Sequence, residues 1–565
     1  MNRVLRMSAL LLVVAWLEPL HVLPWPSWHS EVPAFLAAML IWVSVLLKVR
    51  SGSERLLHVP YSSLLWIILL MVVVFQWAIG LIPFYGDAGV LAMYFMLAFA
   101  VMTSGFQVGR FGGYDAIASS LNILAWCILT GAFLSTSVAL VQAADVWTDL
   151  DWIVRNGSPR RPGGNLGQPN QLGTLLLMGM ASLLFLYSEQ RLRRPSALMF
   201  YLVLIFGLGL TESRTGLLGA AVLLGFWLSK RKQIFPAVPK WLVFAGFTLL
   251  ILVFLGFPAL ISIMQEGGKA AGPTPVANFN VGTRLVVWPQ LLEAAQLRPW
   301  LGWGLRQLSA AHNEVLHKYL IAEPFTYAHN IVLDLVLCLG FPTGIVLVFI
   351  LILWTMRSLA RVENLYCWYG WALFLPLAVH SMFEYPFAYA YFLVPVLFGL
   401  GVVESLMTYR CHVRFPMKWL ALPSIFFVLT MGWSTLDYIA VEEDFRIVRF
   451  EAQRAGETPP EYKRPNIYFL SQMAAMLEVS RLQPTLNMGA SQLELMRQVA
   501  LRFPWTALQN RYALALALNG NPNEALRQLN VMRAMHGERH YQSIRDVWME
   551  LANSRYPQLK ALNLP

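Results

Sequence analysis

The chain has 565 residues, of which 57% are hydrophobic, 13% aromatic and only 13% charged, with a mean hydropathy of +0.54. A soluble protein carries about a quarter charged residues, so an ordinary soluble enzyme is excluded. The net charge of +11 would suit nucleic acid if it were gathered on one soluble face, but the basic residues are scattered over short loops between apolar segments, so no nucleic-acid partner is expected.

The apolar segments, about thirteen of them, read as helices near 5–23, 33–47, 61–83, 89–106, 117–142, 171–187, 196–211, 215–229, 241–262, 328–356, 367–383, 387–406 and 419–438. Most approach the ~20 residues that cross ~30 Å of hydrocarbon; 33–47 and 215–229 are short and read as tilted or re-entrant. Residues 1–30 imitate a signal peptide, with Arg3 and Arg6 before an apolar run. No small-residue cleavage site follows, so a retained first helix is expected. Of the 42 Lys and Arg, 18 fall in the N-terminus and one alternate set of loops, such as 48–58, 189–194, 230–240 and 410–418. Nine fall in the other, longer set, and 15 follow residue 440. The positive-inside rule places the basic loops in the cytoplasm. An odd number of crossings then puts the C-terminus outside, and the polar loops face outward.

Of the four cysteines, Cys127, Cys338 and Cys367 lie in or beside apolar segments and Cys411 in a basic loop, so no disulfide framework is expected. No H-x-x-x-H or D-x-D motif lies outside, and His312 and His317 are five apart with no carboxylate in register, so no metal and no cofactor are expected. Three outward regions are long: 143–170; 263–327, with helical patches after Thr283 and over 305–321; and everything after about 440. That last region holds 15 basic and 12 acidic residues. It reads as a separate helical domain, 441–565, following a membrane domain, 1–440. Its helices are expected near 441–455, 465–482, 490–502, 505–519 and 522–535. The stretch RYALALALNGNPNEALRQLNVM has the spacing of a tetratricopeptide-like hairpin, in which Ala and Gly let two helices approach closely.

Five outward patches carry polar groups: 160–170 (RRPGGNLGQPN), 211–216 (TESRTG), 282–288 (GTRLVVW), 327–330 (YAHN) and 380–386 (HSMFEYP). Four helices, 171–187, 215–229, 328–356 and 387–406, run inward from these patches. Their N-termini, with unsatisfied amides and the positive end of the dipole, are expected to collect at the outer boundary. With Arg160, Arg161, Arg214 and Arg284 nearby, the arrangement suits an anion at headgroup depth, and a pyrophosphate fits. Taken singly, each patch has a plainer reading: Pro169 and Asn170 as a helix entry and cap, Arg214 or Arg284 as a headgroup anchor, His329 as a cap. Glu384 is harder to dismiss, since a carboxylate at membrane depth is costly.

GNLGQPNQLGTLL, ESRTG, the R-x-x-x-W of Arg284 and Trp288, PFTYAHN and HSMFEYPFAYAYFLVP resemble the pilin-type protein O-oligosaccharyltransferases of the PglL kind, within the superfamily of O-antigen ligases and polymerases. The resemblance runs from about 160 to 565. It implies a GT-C-like all-α polytopic fold in a bacterial inner membrane, with a periplasmic helical tail. The activity implied is en bloc transfer of a preassembled oligosaccharide from an undecaprenyl-diphosphate carrier to Ser or Thr of exported proteins such as pilin. It further implies a metal-independent inverting reaction for which Gln168, His329 and Tyr385 are needed. The catalytic candidates are therefore His329, Glu384 and Tyr385. Arg214, Arg284, Gln168, Asn165, Asn170 and Arg161 are candidates for the donor diphosphate, and Asn330, Trp288 and His380 for positioning the acceptor. Guanidiniums suit a diphosphate leaving group through bidentate contacts, and His329 suits the acceptor hydroxyl. Two alternatives are an O-antigen ligase acting on lipid A-core and a transporter or flippase. The latter predicts midplane charges and an inverted repeat, neither of which is visible.

Overall fold

The computed structural model describes residues 2–51, 55–146, 150–154, 161–264, 282, 284–407, 412–453 and 458–564. Arg160, Thr283 and Cys411 therefore lie outside the described residues, as do parts of the loops 143–170 and 263–327. Two compact units emerge. The first comprises Met1–Leu70, Met93–Asn280 and Leu353–Met431; the second Met71–Ala92, Val281–Ile352 and Gly432–Pro565.

The helices of the N-terminal half are α1 (Asn2–Leu17), α2 (Trp28–Ser51), α3 (Tyr61–Ala78), α4 (Tyr85–Ala144), α5 (Pro169–Ser188), α6 (Arg194–Leu210), α7 (Arg214–Ile234) and α8 (Lys240–Met264). α1 stops earlier than the apolar pattern, at Leu17, because Pro19 cannot continue a helix. α2 and α7 are not short: at 24 and 21 residues both exceed the lengths read from hydropathy alone. Pro33 enters α2 within its first turns, where a missing N–H is tolerated. α4 runs for 60 residues, but Gly113 (φ 58°, ψ −148°) breaks it between the two segments expected there.

Next come α9 (Arg284–Leu297), α10 (Leu308–Leu316), α11 (Ile331–Leu339), α12 (Phe341–Ala360), α13 (Leu365–Ser381), α14 (Ala390–Leu406) and α15 (Lys418–Gln453). The helix expected at 328–356 is thus two. Its break at Gly340 (φ 80°) has a visible cause. The Leu337 carbonyl accepts from the Trp303 N–H (2.9 Å), and the Cys338 carbonyl accepts from the Gly304 N–H (3.2 Å) and Gln76 Nε2 (2.9 Å). The carbonyls that would continue the helix serve a neighbouring turn instead. A Cβ at Gly340 would lie 2.3 Å from the Trp300 carbonyl oxygen, so only glycine fits there. α15 is also a correction: the expected helices 419–438 and 441–455 are one continuous 36-residue helix.

The tail holds α16 (Ser471–Arg481), α17 (Ala490–Arg502), α18 (Thr506–Leu518), α19 (Pro522–His536) and α20 (Glu538–Ser554). α16 starts six residues later than its apolar pattern, because the N–H groups of Tyr468, Phe469 and Leu470 are all taken by Asp437 Oδ2. α18 and α19 form a helical hairpin in a core with Tyr541 and Trp548 of α20, a helix the sequence reading lacked.

Against the all-α expectation, two basic loops pair as a small antiparallel sheet, β1 (Leu56–Pro60) with β2 (His412–Pro416). Its buried face, Leu57 and Val59, packs on Trp42, Val45 and Phe99. Among the described residues, seven helices are long and apolar enough to cross a membrane, in α2, α3, α4, α5, α8, α12 and α15; α6 and α14 are shorter apolar helices. The protein is an essentially all-α membrane protein. Unit one has an aromatic core that includes Trp16, Phe185, Trp368, Tyr369 and Trp371, all fully buried.

Candidate functional site

In unit one the polar patches converge through hydrogen bonds between residues far apart in sequence. Gln168, not Asn170, caps α5: its Oε1 accepts from the Gln171 N–H at 2.7 Å, ahead of Pro169 in the first turn. Asn170 is thereby released to reach outward from the helix. Its Oδ1 accepts from the Ser213 hydroxyl (2.6 Å), and its Nδ2 lies 3.5 Å from Glu384 Oε1. Ser213 in turn caps α7 by accepting from the Gly216 N–H (2.9 Å). A single hydroxyl therefore ties the N-termini of α5 and α7 together, and Gly173 and Gly216 let the two helices approach closely.

The end of α13 joins the same group. His380, 1% exposed, places Nδ1 2.8 Å from Thr174 Oγ1, which also donates to the Asn170 carbonyl (3.1 Å). The start of α14 follows: Tyr391 donates to Gln171 Oε1 (2.9 Å), and the Ala390 N–H is held by Glu31 Oε2 (2.8 Å). Tyr385 is half-buried beside Glu384, with its ring 5.9 Å from Tyr389, which stacks on Tyr391. Three of the four expected helix starts thus meet in one network. The fourth, that of α11, belongs to unit two.

Arg214 is the first residue of α7 and is exposed. A cation at a helix N-terminus opposes the macrodipole by about 0.3–1 kcal/mol, a cost that a nearby anion offsets. Arg161 is also exposed. Asn165 has a different task from the donor contact expected of it. It is 3% exposed; its Nδ2 donates to the carbonyls of Leu17 (2.7 Å) and Trp152 (2.9 Å), and its Oδ1 accepts from the Val154 N–H (3.2 Å). It holds loops together, as does Gln142, which clasps Gly164 from both sides.

In unit two, Arg284 opens α9, again a cation in a first helical turn, and Trp288 lies one turn on. Trp288 Nε1 donates to the Ala328 carbonyl (2.8 Å), while the Ala328 N–H donates to Asp334 Oδ1 (2.9 Å). The fully buried Ala328 is thus clamped on both faces immediately before His329. His329 itself adopts φ +53°, a left-handed conformation costly for a residue with a side chain, and its ring stacks on Phe325 at 4.5 Å. The helix that follows is capped not by His329 but by Asn330, whose Oδ1 accepts from the N–H groups of Val332 (3.0 Å) and Leu333 (3.1 Å). The plain capping reading of His329 therefore fails, and Asn330 has a structural task of its own.

Sequence reasoning overlooked Asp334, Thr174, Ser213 and Glu31. For Asp334 and Glu31 the signal was present: a lone carboxylate in an apolar helix is costly and is kept for a reason. Ser213 lies inside the patch 211–216 and Thr174 just beyond 160–170, but nothing in the local sequence singles out either hydroxyl within its motif. Among the described residues no group of three or more His, Cys, Asp or Glu side chains could hold a metal ion.

Unit two also carries the tail close to this turn. Arg502 of α17, 9% exposed, makes a two-pronged ion pair with the fully buried Asp87 at the start of α4 (2.6 and 2.8 Å). Leu316 and Ala322 pack on Val531, Ala534 and Met535 of α19.

Residues 162–187 match the family described as a protein glycosylation ligase, 198–348 that described as an O-antigen ligase, and 368–550 that described as a virulence factor membrane-bound polymerase, C-terminal. Gln168, Asn170 and Thr174 fall in the first match, Arg214, Arg284, Trp288 and His329 in the second, and His380, Glu384 and Tyr385 in the third. The chain is similar to a general O-oligosaccharyltransferase of Acinetobacter baylyi, at 27% identity over 408 residues, covering 71% of this chain and 70% of that protein. It is also similar to a ComP-specific O-oligosaccharyltransferase of the same organism, at 26% identity over 406 residues, 70% of each chain.

Proposed function

We propose that this membrane protein, an oligosaccharyltransferase of the O-antigen ligase and protein glycosylation ligase superfamily, moves a preassembled glycan en bloc from undecaprenyl diphosphate to Ser or Thr of exported proteins such as pilin. The reaction takes place at the periplasmic face of the inner membrane, in a chain of thirteen crossings with a cytoplasmic N-terminus. The observation that carries this reading is the hydrogen-bonded junction of helix N-termini at Asn170 and Ser213, with Arg214 in a first turn. Converging amides and a guanidinium suit a diphosphate.

In this reading Arg214 and Arg284 neutralise the donor diphosphate, aided by Gln168, Asn170 and Arg161. The acceptor oxygen attacks the anomeric carbon with inversion, and the bond from that carbon to the phosphate oxygen breaks. The electron pair leaves on the lipid diphosphate, and the hydroxyl proton passes to His329. Glu384, Tyr385 and His380 orient the groups around the sugar and acceptor. Residues 441–565, a tetratricopeptide-like tail, select the acceptor protein. A second reading, ligation to lipid A-core, is favoured by the O-antigen ligase match at 198–348. Co-expression with a lipid-linked glycan and a candidate pilin, followed by intact-mass measurement of pilin and of lipid A-core, separates the two. A glycan-sized mass gain on pilin supports the proposal; gain on lipid A-core alone replaces it with the second reading.

A further inference from the structure

Unit one contains a cavity of about 230 Å³ among α5, α6, α7, α8 and α13. Its lining is almost wholly apolar, with Met180, Leu184, Leu224, Trp227, Phe247 and Leu250 prominent. It is placed at the end of these helices away from the polar junction. It takes α5 from Leu177 to Tyr187, α6 from Arg194 to Ile205, the middle of α7 from Ala220 to Trp227, the N-terminal half of α8, and Trp368 near the start of α13. The junction, by contrast, is built from the N-termini of α5 and α7 and the end of α13.

Two features identify an occupant. An apolar space of this size does not hold water well, and left empty it forfeits the dispersion contacts of its lining. The lining residues Leu198 and Trp241 are also exposed, as are Leu202 and Phe244 on the same two helices, so the cavity opens beside an apolar outer surface of α6 and α8. At its rim the chemistry changes. Arg194 is part of the lining, Arg193 precedes it, and Lys240 stands between the lining residues Pro239 and Trp241. All three are exposed, and none has an acidic partner among the described residues. The nearby carboxylate of the same loop, Glu189, is engaged by the Tyr366 hydroxyl. An apolar slot rimmed by three uncompensated cations at the basic end of a helix bundle is complementary to an anionic lipid of the cytoplasmic leaflet.

We propose that this cavity binds one phosphatidylglycerol, with an acyl chain between α6 and α8 and the phosphate on Arg194, supported by Arg193 and Lys240. The site shares with the proposed function only the inside–outside assignment of the basic loops, and it is independent of the transfer reaction. Its consequence is that the bundle beneath the polar junction is completed by lipid.

The test uses full-length protein, delipidated in detergent and titrated with dioleoyl phosphatidylglycerol or dioleoyl phosphatidylcholine. Native mass spectrometry counts the lipid retained, and a thermal melt follows stability. Wild type should retain one phosphatidylglycerol and melt higher with it, and phosphatidylcholine should do neither. Combined Arg193→Gln, Arg194→Gln and Lys240→Gln should lower retention at least tenfold. Ala197→Trp, which fills the slot from α6, should abolish retention while leaving the lipid-free melt near that of wild type. Undiminished retention in both variants, equal retention of the two lipids, or a polyprenyl phosphate as the species held would overturn the proposal. Glycan transfer is not read, so failure here leaves the proposed function standing, and the reverse.

Discussion

The clamp on Ala328 offers a sharp test of how His329 is positioned. A left-handed backbone costs an L-residue about 1–2 kcal/mol, and His329 holds φ +53°. The restraint opposing that cost comes from the two hydrogen bonds on the preceding residue: the Ala328 N–H donates to Asp334 Oδ1 (2.9 Å), and the Ala328 carbonyl accepts from Trp288 Nε1 (2.8 Å). Asp334→Leu leaves the N–H of a fully buried residue unpaired, a loss of about 1–3 kcal/mol, comparable to the strain being held. Since 1.4 kcal/mol is about a factor of ten in population, transfer should fall roughly 10- to 100-fold as the imidazole leaves its working position. Asp334→Asn keeps an oxygen for the N–H and should stay within a few-fold of wild type. His329→Asn is the companion: Asn tolerates a left-handed backbone, so the turn survives while the imidazole is lost, and the rate should drop by about 100-fold or more. The assay is the time course of acceptor glycosylation in membranes at matched expression, read by intact mass, with a thermal melt of each solubilised variant. A wild-type rate for Asp334→Leu, or an Asn variant at 334 as poor as Leu, would refute the clamp.

Arg214→Lys and Arg284→Lys should each lower transfer at least tenfold despite the retained charge, because an ammonium lacks the planar fork that grips a diphosphate; full acceptor glycosylation by both variants counts against the donor assignment. Burial pushes the His312 ring down to about 3, and its Nε2 lies 2.9 Å from Gln290 Oε1. The unfolded chain therefore takes up the proton first, and stability is complete above about pH 6.5. It falls as pH drops from there towards 3, by at most about 1.4 kcal/mol per unit; His312→Gln should flatten that slope in melts taken between pH 7 and 5. Asp87→Asn should destabilise unit two by about 3–5 kcal/mol, since Arg502 is left buried and unpaired, while Asp87→Leu with Arg502→Met should recover most of the melting temperature. By the same logic, deletion of 441–565 cuts α15 in mid-helix and strands Asp87, so point variants such as these are the cleaner probe of the tail.

How much was legible can be judged element by element. α5, α6, α17, α18 and α19 fall within about two residues of their expected limits, because Pro at a first turn, polar caps and glycine-bearing turns are local signals. The break at Gly340 was not legible, because it depends on Trp303 and Gly304 capturing carbonyls from more than thirty residues away. Nor was the pairing of β1 with β2, strands separated by some 350 residues in two loops that read only as basic. α15 reads as two helices because its hydropathy changes near 440, although the backbone does not: solvent changes along a helix while its hydrogen bonds continue.

For the site, the amino-acid sequence alone determined the class of molecule and the addresses of its polar groups. Apolar length and basic loops specify membrane helices because hydrocarbon penalises charge wherever it falls, and Gly, Pro, Asn and Ser mark helix starts because unsatisfied amides need local acceptors. Only the tertiary structure decided what each polar group does. Asn170, expected at the donor diphosphate with a cap as its plainer reading, bridges to Ser213; Gln168, also expected at the donor, caps α5; Asn165 is spent on loops; Asp334 holds the turn before His329. The reason is that a side-chain oxygen accepts from whichever donor packing brings to it. The donors and partners here lie 43 residues away for Asn170 and Ser213, 206 for Thr174 and His380, and 359 for Glu31 and Ala390.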